Sequence, residues 1–67
     1  MKFILIPQND PCLAVILMEG DTLEDAIADF TFDMKLHDTS VEKQEDGTIK
    51  LFFKKYYLDT FIIEKIK

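Results

Sequence analysis

The sequence predicts an α+β fold, a single small domain over residues 1–67 in which a mostly antiparallel sheet carries one amphipathic helix, ordered ββαβββ or ββαββα. Three observations carry this expectation. Two short runs rich in isoleucine, leucine and valine, residues 2–6 and 12–18, flank a proline-bounded loop. An apolar stripe at Leu23, Ala26, Ile27 and Phe30 follows Gly20 with the i, i+3, i+4, i+7 period of a helix. Asp46-Gly47 is a strong hairpin dipeptide between two further strand-like segments.

The first two runs read as strand, loop, strand. Pro7 and Pro11 cannot donate ladder hydrogen bonds and so delimit the loop. Residues 13–18 alternate so weakly that the second strand is expected to be covered on both faces, and so to be central, either within the chain or once a dimer forms. Glu19-Gly20 then turns the chain into the helix. Asp21 is placed to cap it, Glu24 completes a D-x-x-E capping box, and Asp25 lies where the helix dipole favours an anion. The helix is expected to stop near residue 32, because Phe30, Phe32, Met34 and Leu36 alternate with Thr31, Asp33, Lys35 and His37 as in a strand.

Charge pairing sets the hairpin register. A two-residue Asp46-Gly47 loop would place Lys43 opposite Lys50. A three-residue loop, Glu45-Asp46-Gly47, instead places Glu42 opposite Lys50, Val41 opposite Leu51 and Asp38 opposite Lys54. Cross-strand pairs differ by about 0.2 to 1 kcal/mol each, and all three favour the longer loop. Residues 48–67 contain no glycine or proline and are too long for one ordinary strand, so a turn is expected at residues 58–60. The last piece, 61–66, is rich in β-branched residues and reads as strand in preference to helix.

Composition narrows the function. At 67 residues, folding buries only about 60% of the surface of the unfolded chain. Yet 48% of the residues are hydrophobic and 12% aromatic, more than a small one-layer core needs, so a homodimer is expected. Cys12, the one cysteine, allows no internal disulfide and points to a reducing compartment. Its place at the start of an apolar run favours packing over nucleophilic catalysis. Neither apolar run approaches the roughly 20 residues of a membrane helix, and Met1-Lys2 precedes too few apolar residues for a secretory signal. A soluble, cytoplasmic protein is therefore expected.

The net charge of −5 argues against general nucleic-acid binding, and all eight basic residues are lysine, which lacks the bidentate fork of arginine. Charge is unevenly spread. Residues 1–47 hold three lysines and eleven acids, whereas residues 48–67 hold five lysines and two acids.

No catalytic signature, phosphate loop or metal-ligand spacing is present. His37 and Cys12 are too isolated to form a zinc site, so no catalytic residue, cofactor or metal is assigned and the chain is read as non-enzymatic. Gly20 before a helix resembles an anion cradle only until its flanking acids are counted. Aspartates recur every four residues at Asp21, Asp25, Asp29 and Asp33, but a helix ending near residue 32 drops Asp33 from the stripe, so the candidate site is Asp21, Asp25 and Asp29 together with Glu24. Most charged stripes opposite an apolar stripe simply keep a helix soluble, but here no lysine occurs between Glu19 and Asp33. The partner-binding set is accordingly Asp21, Glu24, Asp25 and Asp29, and the expected role is regulation or inhibition of a protein with a basic surface.

Two alternatives differ in chemistry. The acidic row can mimic nucleic acid in a basic groove, or a homodimer can hold a small ligand at a seam formed by Phe52, Phe53, Tyr56 and Tyr57. Lysines and aromatics also interleave from Lys50 to Tyr57, a pattern suited to single strands, but the global charge opposes it.

Overall fold

Six elements follow in order: β1 (Lys2–Pro7), β2 (Ile16–Glu19), α1 (Leu23–Lys35), β3 (Thr39–Lys43), β4 (Ile49–Phe53) and β5 (Tyr56–Ile66). They come from a computed structural model, which describes residues 1–66. The strands form one antiparallel sheet in the order β2-β1-β5-β4-β3. Helix α1 lies against both edge strands, β2 and β3, so the sheet curls around it. The core fills the concave side: Phe3, Leu5 and Met18 from one half, Ile49, Leu51 and Phe61 from the other, with Ala26 and Phe30 of α1 set between them.

The expected hairpin register is found. Val41 pairs with Leu51 and Glu42 with Lys50, while Gln44 N–H bonds to the Thr48 carbonyl across the loop 45–47. Gly47 takes φ +89°, the left-handed position that the loop requires. Asp38 and Lys54 stand opposite at the far end of the ladder, joined by Lys54 N–H to the Asp38 carbonyl at 2.7 Å.

Several expectations are corrected. The second strand begins at Ile16 rather than residue 12, and within the chain it is an edge strand, not a central one. The preceding loop is held elsewhere: Leu13 N–H bonds to the Asp10 carbonyl, and Asn9 and Asp10 are tied to Asp59 on β5. The helix cap is Thr22, not Asp21. Its side chain accepts the Asp25 N–H at 3.1 Å.

The helix also runs past residue 32 to Lys35, because Met34 continues the apolar stripe onto the core and helical packing prevails over the local alternation. It closes in tight bonds from Leu36, His37 and Asp38 N–H to the carbonyls of Asp33, Met34 and Lys35, with Asp38 at φ 57°. His37 therefore lies in a turn and not on a strand.

The expected turn at 58–60 lies inside β5. The chain reverses instead at Lys54-Lys55, between the paired residues Phe53 and Tyr56, with Lys54 at φ 56°. No glycine or asparagine marks this loop. The ladder then pairs Phe52 with Tyr57 and Leu51 with Asp59, leaving Leu58 as the extra residue of a bulge. That slip reverses the alternation and turns Asp59 onto the face of the buried Leu51. The C-terminal piece is strand, paired along β1 from Lys2 to Pro7.

Candidate interaction surface

Position on α1 decides which acids act together. Phe32 lies two residues, about 200° around the helix, from the core-facing Phe30 and so points away from the sheet. It is 65% exposed, and Leu36, one turn later, is 67% exposed. Asp25, Asp29 and Asp33 run beside them, each one turn from the next. The outer face of α1 thus holds two large apolar groups among three carboxylates. Like charges at this spacing destabilise a helix by about 0.2 to 0.5 kcal/mol per pair, so local stability does not account for the row.

The structure brings Asp21, Asp25 and Asp29 together along a shallow groove of about 380 Å³ with Gly20 and Ala28. Glu24 is exposed in the first turn but lies outside that groove. A second groove, of about 270 Å³, separates α1 from β2 and is lined by Leu17, Met18, Glu19, Ala26, Asp29, Phe30 and Asp33. Asp29 borders both.

The close approach of β2 to α1 depends on Gly20. A Cβ there would stand 2.6 Å from the Ala26 nitrogen and 2.9 Å from its Cα. Sequence reasoning missed Phe32, Leu36 and Leu17 as members of this surface. One signal was present: Phe32 falls on the acidic face as soon as the helix is extended past it.

The four aromatics expected at a seam divide between the two faces of the sheet. Phe52 and Tyr57 are paired on the face turned away from α1, with ring centroids 5.7 Å apart and planes at 59°. Phe53 and Tyr56 pair on the other face, where the Lys54 Nζ lies 5.5 Å from the Phe53 ring centroid. Opposite faces of one sheet do not gather these four into one pocket. The Tyr57 hydroxyl is engaged internally, sharing a hydrogen bond with Thr60 Oγ1 at 2.6 Å and accepting from Asn9 Nδ2 at 3.3 Å.

Asp59 is the one fully buried acid among the described residues, and sequence reasoning assigned it only to a turn. Its carboxylate accepts backbone N–H bonds from Asn9, Asp10 and Thr60 and a side-chain bond from Asn9 Nδ2 at 2.8 Å. Burial alone would push its carboxyl up, but these donors outweigh burial and hold it below the ordinary value of 3.8. With these four donors directed at it, Asp59 is a clamp holding the β1–β2 loop to β5. Among the described residues, no three His, Cys, Asp or Glu side chains converge as metal ligands, and no helix is long and apolar enough to cross a membrane.

The chain matches no known family model, no curated protein and no solved structure. The geometry of α1 and the β2 edge therefore carries the functional reading.

Proposed function

We propose that this protein is a small, non-enzymatic interaction module that docks a basic-surfaced partner protein on the outer face of α1 and regulates or inhibits it. The observation that carries the reading is the exposure of Phe32 and Leu36 among Asp25, Asp29 and Asp33. Large apolar side chains clustered at an exposed site mark contact surfaces, and the acids supply the steering field. A face that only imitated nucleic acid would gain nothing from a phenylalanine at its centre, so a partner with both basic and apolar groups is favoured over a bare phosphate-binding groove.

The test is site-specific photo-crosslinking from position 32, followed by affinity measurement with the partner recovered. Asp25→Asn with Asp29→Asn should weaken that partner at least about tenfold at low salt and leave little salt dependence. Unchanged affinity in the double variant would leave the acids with a solubility role alone.

A second reading, self-association, is favoured by the sheet face turned away from α1. Ile62, Ile66 and Tyr57 are exposed there beside the half-buried Ile4, Ile6 and Phe52. Its charges, Lys2 and Lys50 against Glu19, Glu42 and Glu64, are mixed in sign, which a self-facing surface accommodates better than a single sign. Sedimentation over a wide concentration range decides it: a constant monomer mass would remove this reading.

A further inference from the structure

We infer that the free edge of β2 accepts an extended, basic segment of a partner as a sixth strand, with lysine or arginine side chains entering the groove between β2 and α1. The inference rests on the proposed α1 docking face and specifies the form in which the partner arrives.

The first support is the hydrogen-bond parity of β1. Gly20 N–H bonds to the Met1 carbonyl at 3.1 Å and Gln8 N–H to the Thr60 carbonyl at 3.0 Å. Residues directly opposite in an antiparallel pair alternate between bonded and non-bonded, so odd residues of β1 serve β2 and even residues serve β5. In the register that pairs Phe3 with Met18 and Ile4 with Leu17, Ile16 and Met18 turn their backbone groups toward β1. Leu17 and Glu19 turn theirs outward. Among the described residues, no backbone or side-chain group takes the outward N–H of Leu17 or Glu19. Leu17 is 68% exposed, and residues 12–18 contain neither charge nor proline. Such an edge is a template for strand addition. The opposite edge, β3, carries Glu42 and Lys43 and is guarded in the usual way.

The second support is the groove beside that edge. Met18, Ala26 and Phe30 floor it, and Asp29 and Asp33 of α1 contribute two carboxylates, while Glu19 at its rim shares the outer face with its cross-strand partner Lys2. Pairing β2 with the β2 of a second copy would bring two identical sets of these acids together, so like charge opposes self-pairing and opposite charge selects a basic segment. Side chains on an added strand alternate between the two faces. Met18 shares the face of α1, whereas Leu17 shares that of Ile4. The matching segment therefore alternates basic residues toward α1 with apolar residues toward Leu17.

The probe is a capped octapeptide of alternating valine and lysine, titrated into the isotope-labelled 67-residue chain and followed by NMR with amide hydrogen exchange. A valine and glutamate octapeptide is the control. Saturable binding of the lysine peptide alone, with exchange slowed at Leu17 and Glu19, supports the added strand. Leu17→Pro deletes the outward N–H at a position where an edge strand tolerates proline, and it should weaken the peptide about tenfold. Leu17→Thr keeps the N–H and should stay within about threefold of the parent.

Peptide binding that shifts α1 amides without protecting Leu17 and Glu19 would overturn the added strand while leaving the α1 face standing. Absence of saturable binding would overturn it as well, and crosslinking from position 32 then decides the α1 face independently. If Leu17→Pro fails to fold, amide exchange in the parent chain still distinguishes an added strand from contact with α1 alone.

Discussion

Replacing Gly20 with alanine tests how the candidate surface is held in place. The backbone at Gly20 lacks the positive φ of Gly47, so the new methyl meets its obstacle in space alone. It would stand 2.6 Å from the Ala26 nitrogen, 2.9 Å from the Ala26 Cα and 3.1 Å from the Asp25 carbonyl carbon, all backbone atoms of the first turn of α1. Ordinary contact begins near 3.4 Å, so the helix start or the end of β2 must yield by several tenths of an ångström.

Overpacking of this kind costs about 1 to 3 kcal/mol, and in a domain this small each kcal/mol lowers Tm by about 4 to 8 °C. A loss of about 2 kcal/mol, or roughly 8 to 16 °C, is expected by thermal melting followed with circular dichroism. The control is Gly47→Ala, where a Cβ meets nothing within 4 Å and the penalty comes from φ +89°. Asparagine tolerates that region, so Gly47→Asn should recover much of what Gly47→Ala loses. Gly20→Asn should melt no higher than Gly20→Ala. Melting of Gly20→Ala within about 2 °C of the parent, against the expected shift, would refute the close approach of β2 and α1 on which both grooves depend.

Thr22→Ala should cost about 1 kcal/mol through loss of the bond to Asp25 N–H, whereas Asp21→Ala should cost less than half as much, as urea unfolding of the two variants will show. Phe30→Ala removes a ring only 6% exposed, at about 3 to 5 kcal/mol against a total stability of about 3 to 10 kcal/mol, so a largely unfolded chain is expected by near-ultraviolet circular dichroism. The folded-state carboxyl of Asp59 titrates below its ordinary value of 3.8, so its stabilisation is complete above that pH and is lost as pH falls through the lower, folded-state value. Melting temperatures taken across the acid range should accordingly drop less steeply below pH 3.8 in Asp59→Asn than in the parent, and parallel curves would remove Asp59 as the clamp.

Much of the candidate surface was legible because helix entry and periodicity are local properties. The stripe at Leu23, Ala26, Ile27 and Phe30 locates α1 without any tertiary information, and it carries Asp25 and Asp29 to one side of the helix. Charge pairing was sufficient for the β3–β4 hairpin, since Glu42 and Lys50 meet only in the three-residue loop register. Where two local patterns competed, the sequence was ambiguous. Phe30 to Leu36 fits a helix or a strand, and only contact of Met34 with the core selects the helix, which in turn brings Phe32, Asp33 and Leu36 onto the outer face.

By itself the chain determined its α+β class, the first strand, the helix stripe and one hairpin with its register, because each depends on neighbours within a few residues or on a single strong turn. The tertiary structure alone decided that β2 is an edge, that the chain turns at Lys54-Lys55 and that Asp59 is buried. The Leu58 bulge shifts the alternation of β5 by one residue, and no dipeptide marks it. Strand order has the same character. Once β5 takes the even-numbered backbone groups of β1, the odd-numbered groups are left for β2, and none of the described residues covers the outward N–H groups of Leu17 and Glu19.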